Sequence, residues 1–96
     1  MNNTENKSYN YLNSLVKTIE KKLLTATALY DAAISKRDKN AARAALDFKI
    51  TLAQYKRDIV NTIADYEQNM PNAKAKMENL ASSLESNKLL ETIESY

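Results

Sequence analysis

The chain of 96 residues contains no glycine, no cysteine, no histidine and no tryptophan, and its single proline is Pro71. Tight hairpin turns between strands draw on glycine for backbone angles that a side chain penalises. A chain with none of it, and rich in Ala, Leu, Lys and Glu, is expected to be helical throughout. Without cysteine there are no disulfides, no thiolate nucleophile and no zinc–sulfur site. Without histidine the commonest general base and the imidazole metal ligand are absent as well. Long apolar runs are missing too. The longest, such as Ala32-Ala33-Ile34, reach only three residues, far short of the ~20 needed to cross a bilayer. The opening MNNTENKSYN is polar and carries no apolar h-region, so no secretory leader is read there and a cytoplasmic location is expected. Export without a leader, or a place in a virion, are the alternatives.

Apolar content of 44% is that of a chain that folds, and the length suits one domain spanning residues 1–96. The pattern is organised around residues 41–70, which carry two apolar stripes where a surface helix carries one. The first runs Ala45, Phe48, Leu52, Tyr55, Ile59, Ile63, Tyr66, Met70, in steps of three and four. The second runs Leu46, Ile50, Ala53, Val60, Ala64, with Arg57 where another apolar residue would fall. At about 100° per residue the stripes lie roughly 140° apart, and the face between Arg43 and Asp65 is polar. Such a helix needs two neighbours. Its second stripe is expected to be covered by a third helix, by another copy of the chain or by a partner.

A preceding helix is expected over about 8–36. Leu12, Val16, Ile19, Leu23, Ala26, Tyr30 and Ala33 recur without a slip, widened by Leu15, Leu29 and Ile34. Ser8, or Asn3 or Thr4 before it, supplies the N-cap. Residues 36–40, Lys-Arg-Asp-Lys-Asn, interrupt both stripes, and Asp38 or Asn40 can cap the next helix. A break this short between long amphipathic segments predicts an antiparallel hairpin with its turn at 37–40, in preference to one continuous rod. Met70-Pro71 is expected to end the second helix, with Pro71 opening a third over 71–86 and Asn69 nearby as its cap. That third helix shows Ala73, Met77, Leu80 and Leu84 on one face. Beyond Ser86 and Asn87 the phase changes, and Leu89, Leu90, Ile93 and Tyr96 point the other way. Residues 87–96 therefore fold back after a break or act as a separable docking element, and docking is the expectation set here.

Charge is unevenly placed along the chain, although the net is only +2. Residues 17–57 hold ten Lys or Arg against four acids, and residues 58–96 hold three Lys against seven acids. Lys36, Arg37, Lys39 and Arg43 gather at the hairpin tip. Phosphate-backbone binding needs several cations on one surface, but Asp38 dilutes this cluster and no aromatic residues are interleaved for base stacking. Tyr9 and Tyr11, two apart, face different ways on a helix, so one is expected to be exposed. The carboxylate pairs Asp65/Glu67 and Glu91/Glu94 fall on polar faces rather than in a cleft that would split their pKa values. No catalytic, cofactor or metal site is expected, and no small-molecule substrate.

The expected fold is all-α: an antiparallel hairpin of two long helices with a shorter third helix, as a three-helix bundle or a coiled-coil-like assembly. The expected function is that of a small non-enzymatic interaction protein, an assembly subunit, adaptor, chaperone or inhibitor of the kind common in phages and mobile elements. It would self-associate or bind a protein partner through the second stripe and the residues Leu89, Leu90, Ile93 and Tyr96. The alternatives are a nucleic-acid binder using the basic tip, or a secreted helical-hairpin subunit of a secretion system. In length the chain is similar to the small hairpin proteins of type VII secretion, but it has neither the tryptophan nor the glycine of their Trp-x-Gly turn. The region of Leu52 and Tyr55 resembles the second helix of type III secretion needle subunits, yet those chains end with that helix and 26 residues follow Met70 here. Both are likenesses of shape.

Overall fold

A computed structural model describes residues 6–95. Four helices follow in order: α1 (Lys7–Ser35), α2 (Lys39–Glu67), α3 (Ala73–Ser86) and α4 (Leu89–Glu94). The first two pack side by side along their length as an antiparallel hairpin, which excludes the continuous rod. α3 packs against both, and α4 against α1 and α3. The result is an elongated all-α bundle of 53 × 22 × 18 Å.

The helix ends show how a chain without glycine makes its turns. Asn6, rather than Ser8, caps α1 by accepting from the Tyr9 amide at 3.0 Å; Asn3 and Thr4 lie outside the described residues. The end of α1 is a Schellman motif. Arg37 adopts a left-handed φ of 59°, its amide bonds the Ile34 carbonyl and the Asp38 amide bonds the Ala33 carbonyl. Asp38 then caps α2 through the Ala41 amide at 3.0 Å, so only residues 36–38 separate the two helices, a tighter turn than expected.

At the other end α2 stops at Glu67, three residues before Met70. Asn69 takes the left-handed conformation, φ 57°, and the Met70 amide bonds the Asp65 carbonyl. Asparagine tolerates that region better than most residues, so the stop belongs to Asn69 and not to Pro71. Pro71 lies outside α3, whose cap position is Asn72 at φ 63° with no side-chain cap bond. The break expected near Ser86–Asn87 is present. Lys88, φ 54°, ends α3 and begins α4.

The main core occupies the end of the hairpin that α3 and α4 cover. Leu12, Leu15 and Ile19 of α1 meet Leu52, Ile59 and Ile63 of α2, Met77, Ala81 and Leu84 of α3, and Ile93 of α4. The other end is a bare two-helix arm. Between residues 24 and 50 every buried side chain is an alanine: Ala26, Ala33, Ala42 and Ala45. Methyl groups let the helix backbones approach closely, but each buries far less apolar surface than a leucine or isoleucine.

Candidate interaction surfaces

The second stripe of α2 is not covered by the chain's own helices. Leu46 is 41% exposed, Ile50 47% and Val60 41%, and Ala53 and Arg57 are exposed as well; Ala64 alone is half-buried. The reason is the direction from which α3 and α4 approach. α4 shares a hollow with Phe48 and Tyr55, residues of the first stripe, and the second stripe lies roughly 140° round the helix from them. Of the three coverings expected from the sequence, the third helix is therefore ruled out. Arg57 is exposed and, among the described residues, has no acidic partner within 4 Å.

The exposed large hydrophobic residues concentrate on the arm. Leu24, Leu29, Ile34, Leu46 and Ile50 all belong to residues 24–50, with Val60 and Met70 elsewhere. Leu29 and Ile34, expected to widen the α1 core stripe, are each more than half exposed. They lie on the arm, where the buried residues are alanines and no third helix arrives to bury them.

Residues 89–95 behave differently from the docking expectation. Ile93 is 2% exposed and belongs to the core, and Leu89 and Leu90 are half-buried against it. The Lys22 ammonium donates to the Glu94 carbonyl at 3.4 Å. The segment folds back because Lys88 reverses its direction, which turns the out-of-phase residues onto α1. This corrects the reading of Leu89, Leu90 and Ile93 as a docking element. Tyr96 lies outside the described residues.

At the tip, Lys36, Arg37, Lys39 and Arg43 are all exposed. Asp38 stands among them with its carboxylate engaged as the α2 cap. Tyr9 and Tyr11 are both half-buried, against the expectation that one would be exposed. The Tyr9 hydroxyl donates to Glu67 Oε2 at 2.6 Å and its ring tilts against Tyr66, with 5.5 Å between centroids. The hydrogen bond to Glu67, then burial, raises the Tyr9 pKa above its ordinary 10.0. Burial, then the charges of Glu85 and Glu91, raises that of Tyr11. An ion pair between Lys56 and Glu20 at 3.2 Å ties the two long helices on the exposed side, where such a contact contributes at most ~1 kcal/mol.

Asp65, Glu67, Glu91 and Glu94 are exposed, and among the described residues no three acidic side chains converge as a metal site would require. No described helix is long and apolar enough to cross a membrane. No protein-family model, no curated protein and no solved structure matches the chain.

Proposed function

We propose that this chain is a non-enzymatic helical interaction protein whose α2 second stripe, Leu46, Ile50, Ala53 and Val60, is a binding surface for another protein. The observation that carries this reading is the division of α2 itself. Its first stripe is used by α1 and α3, while the second is left in water over nearly the whole helix. Leaving a large aliphatic side chain exposed forgoes roughly 1.5–3 kcal/mol that burial would supply. Isolated exposed hydrophobics are common, but several in register on one helix mark an interaction face. The arm sharpens the argument, since its alanine-only interior supplies little stability of its own.

Arg57 sits within the stripe and can lay its aliphatic stem along the seam while offering five donors to a partner's carboxylate. The basic tip, under this reading, steers acidic partners toward the stripe. Ile50→Asp tests the assignment. It should leave the isolated chain folded, because Ile50 is already half in water, and should abolish capture of the cognate protein from lysates of the native host. Equal capture by Ile50→Asp and by the unaltered chain, with the same proteins identified by mass spectrometry, would refute it.

A further inference from the structure

The exposed seam of α2 keeps a strict heptad spacing. Arg43, Leu46, Ile50, Ala53, Arg57, Val60 and Ala64 follow in steps of three and four without a slip, and all but the half-buried Ala64 are exposed. The first stripe of the same helix, which packs inside the bundle, slips once, with two steps of four from Tyr55 through Ile59 to Ile63. A repeat of 3.5 residues stays in line along its whole length only with another helix wound beside it. From Arg43 to Ala64 the seam runs roughly 32 Å, about three heptads. We propose that its protein partner presents a single amphipathic helix with acidic edges, which lies along α2 as the second strand of a short coiled coil. This rests on the protein-binding role proposed above and names the chemistry of the partner.

Charge selects an acidic partner. Arg43 and Arg57 stand in the seam itself, and Lys49 and Lys56 flank it on the edge nearer α1, where Lys56 meets Glu20. The opposite edge holds Asp47, Gln54 and Asn61, so the seam and its two edges carry four cations against one acid. Among the described residues Arg43, Lys49 and Arg57 have no acidic partner within 4 Å. In a coiled coil the edge charges set the choice of partner, and a polar residue within the seam fixes register. A helix with Glu or Asp along the edge facing Lys49 and Lys56, and one acid level with Arg57, answers them, the guanidinium taking the carboxylate in its fork. A second copy does not. Parallel pairing sets Arg57 on Arg57, and antiparallel pairing sets Lys49 on Lys56, like charge on like.

The tip end of the seam adds an anchor point. Lys39, one step of four before Arg43, lines a hollow of about 250 Å³ with Ala33, Ile34, Arg37 and Asp38. Ile34 is more than half exposed there, and the Asp38 carboxylate is already engaged with the Ala41 amide as the α2 cap. An apolar side chain at the end of the partner helix fits this hollow, with an acid beside it for Arg37 and Lys39. The partner helix thus needs apolar residues at heptad spacing and acids on its edges, and it leaves α3 and α4 untouched on the other side of the hairpin.

Two synthetic helical peptides of about 28 residues test this, identical in the Ile and Leu of their seams but carrying Glu at the edge positions in one and Lys in the other. Titrated against the full chain at about 50 mM salt, the Glu peptide should bind with a Kd of about 1–100 µM, and the Lys peptide at least roughly tenfold more weakly. The preference should shrink at about 0.5 M salt. Lys49→Glu with Arg57→Glu, at exposed positions where circular dichroism should show the fold retained, should reverse it, and Ile50→Asp should abolish binding of the Glu peptide. No binding of the Glu peptide at about 1 mM overturns the proposal. Equal affinities for the two peptides, or Glu-peptide binding that Ile50→Asp leaves unchanged, overturn it as well. If capture of a host protein depends on Ile50 while the Glu peptide fails, the acidic helix is wrong and the protein-binding role stands; capture indifferent to Ile50 removes that role and this proposal with it. Binding of phosphatidylserine vesicles without binding of the Glu peptide, lost in Lys49→Glu with Arg57→Glu, would give the face to an anionic lipid surface and overturn both.

Discussion

Replacing Ile93 by alanine tests whether α4 belongs to the folded chain. Ile93 is 2% exposed and packs into the same cluster as Leu12, Ile19 and Leu52. Isoleucine-to-alanine changes at buried sites cost about 2–5 kcal/mol, the lost transfer energy of three carbons plus that of any cavity left behind. Here the lower half of that range applies, about 2–3 kcal/mol, because Ile93 borders an open hollow that water can enter. A second limit comes from position. α4 has only six residues, so once the substitution costs more than the free energy that docks α4, the helix detaches and the loss stops growing.

A 96-residue domain is expected to be stable by about 5–14 kcal/mol, so a loss of this size is a large fraction of the whole. It should lower the melting temperature by roughly 10–20 °C. Thermal and urea unfolding at low micromolar concentration, where association plays no part, are the measurements. An unchanged midpoint in both would mean that α4 contributes nothing to the monomer, and the folded-back segment would have to be abandoned.

Two isoleucines nine residues apart on α2 should respond in opposite ways. Ile59→Ala, at a position 0% exposed, should cost about 2–5 kcal/mol in urea unfolding. Ile50→Ala should change monomer stability by less than ~0.5 kcal/mol, and equal losses would show the second stripe to be core. Arg37→Gly and Lys88→Gly should each stabilise the chain by about 0.5–1 kcal/mol, because both residues hold left-handed backbone that a β-carbon penalises. A loss at either position would contradict the turn geometry. Tyr9 holds a pKa raised above 10.0 by its bond to Glu67, so the stability it contributes is complete below pH 10.0 and lost as the pH climbs through the raised value. Tyr9→Phe should therefore flatten part of the alkaline fall in melting temperature, and an identical alkaline profile would show that the bond contributes nothing.

Much of this architecture was legible from residue order because helical periodicity is a local property. Leu12, Ile19, Leu52, Ile59, Ile63, Met77 and Leu84 recur at the spacing that puts them on one face, and each is buried. The polar break at 36–40 and the absence of glycine sufficed for an all-α hairpin. Side-chain chemistry narrowed the α2 cap to Asp38 or Asn40, and the structure uses Asp38. The break after Ser86 was visible as a change of phase.

What periodicity cannot carry is the identity of the neighbour. Leu29 and Ile34 share spacing with the core yet stand in water, because α3 and α4 together are shorter than the hairpin and run out before the arm. Leu89, Leu90 and Ile93 read as out of phase, but one left-handed residue at Lys88 turns them onto α1. A backbone reversal of that kind has no signature in a sequence without glycine. The helix stop moved from Pro71 to Asn69 for the same reason: any asparagine can adopt that conformation, and the surrounding packing selects which one does. The order of residues thus determined which faces are apolar. Only the tertiary structure decided which of them the chain buries against itself, since that depends on where α3 and α4 end along the hairpin.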